Sequence, residues 1–238
     1  MFYPLPKKIQ LATSQAKWVL DSTQSVLVIF ELEGLCSIPA WDDAILHEHI
    51  NKMVKKAKAL EIPVIHVNTN QDINAMMRLG EQLSVRKQLI VSGYISAQTK
   101  QFLNYLSSAT EYICIIHDAI YVNNLEQHIQ WISSISQQKL HHLNCYSLLR
   151  LWSLSAPKAL IISAKGILLA IAEQLDLEPL EIDPTIDLRL LGLDSIAMVS
   201  LVGLWRANGS QISYEDFEEK NTLVALMNHL LTTEFITN

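Results

Sequence analysis

Glycine and proline are scarce in this 238-residue chain, seven of each. That excludes collagen-like or loop-rich architectures and favours regular elements joined by short connections. Long hydrophobic runs are also missing. Ser25 to Phe30 and Ala159 to Ser163 are among the longest, far short of the roughly 18 to 20 residues a bilayer span needs, so no membrane partner is expected. Met1 to Leu11 holds Lys7 and Lys8 with no apolar stretch behind them, which gives no secretory signal and makes the cytoplasm the expected location. Cysteine is limited to Cys36, Cys114 and Cys145, an odd number without paired ligand spacing, and all three read as buried thiols. No metal site is expected, since the adjacent His141 and His142 project differently. What remains is half hydrophobic and 18% charged, the composition of a globular chain with room for one large domain, or one medium and one small.

Basic residues are unevenly placed. Residues 1–156 carry 13 Lys and Arg against 12 Asp and Glu, whereas 157–238 carry 5 against 12. The net charges of +1 and −7 point to two units with separate partners. The acidic unit repels nucleic acid and has no basic cluster interleaved with aromatics, so no nucleic-acid partner is expected. Lys52, Lys55, Lys56 and Lys58 read as one exposed helix face beside the apolar stripe Ile45, Ile50, Met53 and Leu60.

Four short β-branched runs, Ser25 to Phe30, Ile62 to Val67, Gln88 to Ser92 and Tyr112 to His117, lack strict alternation, as strands covered on both faces do. Helical patterns lie between or after them, at Trp41 to Leu60, Gln98 to Ser108 and Leu125 to Ile135. In the first, Asp42 and Asp43 fall in the first turn and lysines toward the last. The alternation implies a parallel sheet with helices on both sides, and chemistry at the carboxyl ends of its strands. After Trp152 the texture changes. The expected division is an α/β domain over 1–152, a linker over 153–157 and an all-α unit over 158–238. That unit reads as a four-helix bundle, with helical patterns at 159–175, 194–207, 214–219 and 222–231.

The segment Leu190-Leu191-Gly192-Leu193-Asp194-Ser195-Ile196 resembles the attachment site of acyl and peptidyl carrier proteins, a glycine, an Asp-Ser pair and a following apolar residue at the start of a helix. Ser195 opens the helix with free first-turn amides that favour an attached phosphodiester, and Gly192 permits a tight turn before it. No base adjoins the serine in sequence, so it is not a self-activated nucleophile. The resemblance implies that a phosphopantetheinyl transferase moves 4′-phosphopantetheine from coenzyme A to Ser195, making a thiol arm that holds an acyl group as a thioester. By the same resemblance Asp194 helps to orient the transferase complex. Ile196, Met198 and Val199 cannot all point inward at consecutive helical positions, and with Tyr214 and Phe217 they are the candidate partner-binding residues.

An α/β domain of this length ahead of such a bundle resembles the bifunctional isochorismatase and aryl carrier proteins of catecholate siderophore assembly, a cysteine-hydrolase-superfamily fold. Lys17-Trp18, Val26-Leu27-Val28-Ile29, Ile62-Pro63-Val64, Gln88 to Tyr94, His117-Asp118-Ala119, Leu204-Trp205-Arg206 and Lys220-Asn221-Thr222 carry the likeness in order and spacing. The family's acid/base motif, Asp-x-Gln, stands here as Glu31-Leu32-Glu33. The extra methylene at Glu31 displaces its carboxylate by about 1 to 1.5 Å, and a misplacement of that order can cost about 100-fold. The family's lysine is missing, because Asn68 to Arg86 holds none and Lys87 abuts the third strand. The resemblance therefore implies a catalytically inactive front domain, a pseudoenzyme scaffold and possible homodimer, with Glu31 a degenerate position. Trp41 and Trp131 read as core aromatics. The expected function is an aryl carrier protein for nonribosomal peptide siderophore synthesis. It would be loaded with 2,3-dihydroxybenzoate or salicylate by an adenylating enzyme and unloaded by a condensation or cyclization domain. The alternative is a bifunctional enzyme still hydrolysing isochorismate to 2,3-dihydro-2,3-dihydroxybenzoate and pyruvate.

Overall fold

The computed structural model describes residues 3, 17–42, 44–68, 73–109, 112–136 and 140–232. The chain divides into two compact units, 1–155 and 156–238.

The first unit is built on five parallel strands, β1 (Ser25–Phe30), β2 (Val64–Val67), β3 (Gln88–Tyr94), β4 (Ile113–Tyr121) and β5 (His141–Leu143), in the order β2-β1-β3-β4-β5. Its helices are α1 (Leu32–Cys36), α2 (Ile45–Ala59), α3 (Ile73–Val85), α4 (Ala97–Ala109), α5 (Leu125–Ser136) and α6 (Cys145–Ser155). All six residues of β1 are buried, as a strand covered on both faces requires. Val26, Val28 and Phe30 join one core with Leu79 of α3, Leu103 of α4 and Ile132 of α5. Leu27 and Ile29 point to the other face, and there α2 and α6 pack on each other and on β4.

Two elements differ from expectation. The helix expected from Trp41 starts only at Ile45, because Trp41 and Ala44 close successive turns onto Ile38 and Trp41 carbonyls and the Trp41 ring lies 4.8 Å from that of His47. Asp42 therefore precedes the helix, and Asp43 lies outside the described residues. The expected linker begins inside α6, whose last turn holds Ser153 to Ser155. The Ser155 hydroxyl accepts from the Ser22 amide at 2.9 Å and donates back to the Leu151 carbonyl at 2.8 Å.

Two side chains depart from their expected environments, while Trp41 and Trp131 sit where core aromatics are expected. Cys36 is exposed, whereas Cys114 and Cys145 are buried, because Cys36 ends the short helix α1 rather than facing the sheet. Lys56 is only 9% exposed, since it falls on the sheet-facing side of α2 with Met53 and Ala57 and buries its stem there. Trp41 is 8% exposed, and Trp131 packs at the edge of the main core with the Lys100 ammonium 5.9 Å from its ring centroid.

The second unit is helical, with α7 (Lys158–Ile161), α8 (Ala164–Leu175), α9 (Ser195–Ala207), α10 (Tyr214–Glu219) and α11 (Leu223–Thr232). The single run expected over 159–175 breaks at Ile162 and Ser163, and the Ser163 hydroxyl caps α8 by accepting from the Gly166 amide at 2.9 Å. Among the described residues no helix is long and apolar enough to cross a membrane.

Candidate functional site

In the second unit, residues 183–194 join α8 and its following turn to α9 without regular structure. Leu188 and Leu193 are buried at 0% and 3% exposure, and the Leu193 amide donates to the Leu188 carbonyl at 3.0 Å. Gly192 turns the chain between them at φ +106°, a backbone region that costs glycine nothing and other residues strain. Asp194 follows as the N-cap of α9, its carboxylate accepting from the Ala197 amide at 2.8 Å.

Ser195 is the first residue of α9 and is exposed. Its hydroxyl engages no hydrogen-bond partner among the described residues, and no side-chain base stands ready to take its proton. With no base beside it among the described residues, any chemistry there needs a base supplied from outside.

The inward face of α9 carries Met198, Leu201, Val202 and Trp205, the spacing of a helix stripe. Of the five expected partner-binding residues, Ile196 and Val199 are open to solvent at 76% and 59% exposure, while Met198 at 2% and Phe217 at 1% belong to the core. The rotation of α9 decides this, because it turns Met198 inward on the face shared with Leu201, Val202 and Trp205. Phe217 stacks on Trp205 at 5.8 Å. Tyr214 is half-buried at the start of α10, behind a capping box in which Ser213 and Asp216 bond reciprocally. The exposed apolar residues nearest Ser195 along the chain are thus Ile196 and Val199 of α9 and, in the loop before it, the 82% exposed Leu190.

Sequence reasoning passed over a polar group in the loop before the serine. Asp187 receives the Arg189 amide at 2.9 Å, the Arg189 guanidinium at 2.8 Å and the Asn221 side-chain amide at 2.7 Å. Arg189 holds the Asp187 carboxyl below the usual carboxylate range. The local signal was an acidic residue two positions before an arginine, the spacing of an Asx-turn.

In the first unit Glu31 lies at the carboxyl end of β1, half-buried, in the left-handed conformation (φ 51°, ψ 39°). Its amide donates to the Val67 carbonyl at 2.9 Å and its carbonyl accepts from Leu35 at 3.2 Å. Beside it β3 runs so close to β1 that a Cβ on Gly93 would lie 2.3 Å from the Phe30 carbonyl oxygen. The neighbouring strand end leads through Ser96 into α4, and the Ser96 hydroxyl accepts from the Thr99 amide at 3.0 Å. The strand order reverses between β1 and β3, where such sheets place ligands. The segment expected to lack a catalytic lysine is mostly α3, with 69–72 outside the described residues, and Lys87 is exposed just ahead of β3. Deeper along β4, a bulge carries Asp118 to the Cys145 amide at 2.7 Å, a structural use of that carboxylate. Among the described residues, no group of three or more histidine, cysteine or acidic side chains could hold a metal ion.

Residues 165–230 match the family described as phosphopantetheine attachment site, so the second unit is a carrier domain of the kind that bears 4′-phosphopantetheine. No curated protein matches the chain. Among solved structures the chain is similar to YcaC from Pseudomonas aeruginosa, determined with hexane-2,5-diol and covalent acrylamide. The identity is 13% and the TM-score 0.46, over 63% of this chain and 93% of that one.

Proposed function

We propose that Ser195 is the attachment residue and that the protein is an aryl carrier of nonribosomal peptide siderophore assembly. The observation that carries this reading is an exposed, unengaged hydroxyl at the first position of α9, inside a unit that matches a phosphopantetheine attachment family. The geometry suits the group. Asp194 uses its carboxylate on the Ala197 amide, which leaves first-turn amide donors of α9 without intrahelical partners beside Ser195. A phosphodiester at that end is favoured by those donors and by the helix dipole. The bound group supplies a thiol on a long flexible arm.

Attachment needs a phosphopantetheinyl transferase, because none of the described residues offers Ser195 a base. The Ser195 oxygen bonds to the phosphorus that carries the pantetheine of coenzyme A and the pyrophosphate bond breaks. The adenosine 3′,5′-bisphosphate leaves, and the hydroxyl proton passes to a base of the transferase. Ile196, Val199 and the edge of Tyr214 meet the enzymes that follow, an aryl-acid adenylating enzyme and a condensation or cyclization domain. Their exposed apolar area lies within one turn of the tether or on the next helix.

The first unit is read as an inactive isochorismatase-like scaffold. Support comes from Glu31, one methylene longer than the acid/base residue of that family, and from the absence of any lysine between Asn68 and Arg86. The competing reading, hydrolysis of isochorismate through Glu31, is favoured by a carboxylate at the carboxyl end of β1 beside the strand-order reversal.

Incubation of the whole chain with coenzyme A and a broad-specificity transferase should add one phosphopantetheine by intact mass, and Ser195→Ala should abolish the gain. A wild-type chain that gains nothing, or a Ser195→Ala chain that gains as much, removes the carrier reading. Pyruvate release from isochorismate at ordinary enzyme rates removes the scaffold reading alone.

A further inference from the structure

Ser195 stands at the end of twelve residues without regular structure, and a segment of that length left to itself samples many positions. Here it is fastened at two levels. The lower one is hydrophobic: Leu188 and Leu193 are buried, and the Leu188 carbonyl accepts the Leu193 amide at 3.0 Å. The upper one is polar and reaches across to the start of α11. Asp187 and Thr222 form an antiparallel bridge, and the Leu188 amide donates to the Asn221 carbonyl at 2.8 Å. The Asn221 side-chain amide donates to Asp187 Oδ2 at 2.7 Å, while Arg189 spans both carboxylate oxygens through Nε at 3.1 Å and Nη2 at 2.8 Å. The Gly192 amide then closes onto the Arg189 carbonyl at 3.1 Å, so the polar fastening runs directly into the turn before the serine.

We infer that Asp187, Arg189 and Asn221 form a clasp that presets the loop bearing Ser195, making Asp187 and Asn221 positioning residues for attachment of the phosphopantetheine arm. The inference rests on Ser195 being the attachment residue. Its logic is population. The Asp187 and Arg189 side chains are 24% and 48% exposed, and an exposed ion pair adds little to the stability of a whole fold. Loss of several hydrogen bonds in one short loop opens that loop locally while the helices stay folded. A transferase that binds only the closed loop then sees a diluted substrate. Its apparent affinity falls by the fraction closed, and turnover of the bound complex is unchanged.

The test compares the full-length wild type with Asp187→Ala, Asp187→Asn and Asn221→Ala as substrates of one transferase with saturating coenzyme A. Asp187→Ala should raise KM for the carrier about tenfold with kcat unchanged, as expected when the competent state is diluted. Asn221→Ala, which leaves the Asp187–Arg189 contacts in place, should raise it less. Asp187→Asn, which keeps an acceptor, should restore part of the loss. Hydrogen exchange at the Gly192 and Leu193 amides should accelerate while the interior amides of α9 and α11 keep their protection. Should Asp187→Ala fail to fold, Asn221→Ala carries the test alone. Wild-type KM in a folded variant, or a fall in kcat at constant KM, overturns the clasp. Failure of the wild type to gain mass at Ser195 instead overturns the attachment reading beneath it, so the two failures are distinguishable.

Discussion

Gly166 shows how much a single atom decides in the second unit. A Cβ there would stand 2.0 Å from the Leu160 carbonyl oxygen and 2.7 Å from that of Ile161, the backbone that turns α7 into α8. Those atoms belong to main chain and have nowhere to go. Gly166→Ala should therefore destabilise the unit by about 1 to 3 kcal/mol, the usual cost of overpacking. Gly203, in the middle of α9, has nothing within 4 Å of the same hypothetical atom. There the substitution removes backbone freedom from the unfolded chain and should stabilise by about 0.4 to 1 kcal/mol. Urea unfolding of the full chain, followed by hydrogen exchange in 156–232, checks both, and equal effects of one sign would contradict the packing. The sequence marks neither glycine for its role. Both sit in helical patterns, and only the approach of α7, nested within one expected helix, separates them.

At the scale of the element, α9 has one face that holds the unit together and another free to meet partners. Met198→Ala removes a side chain from the stripe shared with Leu201, Val202 and Trp205 and should cost about 2 to 5 kcal/mol. Ile196→Ala lies outside that stripe at 76% exposure and should change stability by less than about 0.5 kcal/mol, while slowing loading by the adenylating enzyme. Denaturant midpoints and a loading assay separate the two, and a large stability loss at Ile196 would mean that the faces are reversed. The period of α9 was legible in residues 194–207, and so was its Asp194 cap; which of three neighbouring apolar residues faces outward was not, because that depends on how the helix is rotated against α8 and α10. The same contrast runs through the sheet. Strands β1 to β4 each hold a stretch rich in β-branched apolar residues, such as Val26 to Ile29 and Ile113 to Ile116, and announce themselves. The three residues of β5 begin with His141 and His142, a polar pair at the sheet edge whose pairing with Cys114 and Ile115 no local pattern reveals. Helix α3 escaped notice because Ile73, Met77 and Val85 are exposed, which blurs its stripe. The Asp187 clasp was hidden for a further reason, since Asn221 lies 34 positions away and only folding brings it near.

For the whole molecule, the two units should respond to acid in separate windows, because different groups carry their proton linkage. Seven of the eight histidines lie in the first unit. Burial holds His66, His117, His128 and His141 below the ordinary imidazole value of 6.5. His128 shows the cause most plainly. It is fully buried, Nε2 faces the His117 carbonyl at 2.9 Å, and Nδ1 faces the Tyr3 hydroxyl at 2.7 Å. A carbonyl only accepts, so Nε2 carries the proton and Nδ1 accepts from Tyr3, whose oxygen in turn takes the Val122 amide at 2.9 Å. Burial disfavours a second, charge-bearing ring proton there. The unfolded chain binds protons at these sites more readily than the folded one. The stability they confer is thus complete above about pH 6.5 and is lost as pH falls toward the depressed folded values. In the second unit the displaced groups are carboxylates. Thr185 holds Asp183 low, Arg189 holds Asp187 low, and Ser213 holds Asp216 low. Their contribution is complete above the unfolded value of 3.8 and is lost only as pH falls below it toward the folded values. Between about pH 6.5 and 4.5 the first unit should therefore lose stability while the second holds. Calorimetry of the full chain across that range, with hydrogen exchange assigning each transition to residues 17–155 or 156–232, should show the first unit's melting temperature falling alone. A parallel fall in both, or none in the first, would mean that the buried imidazoles are not neutral in the folded chain.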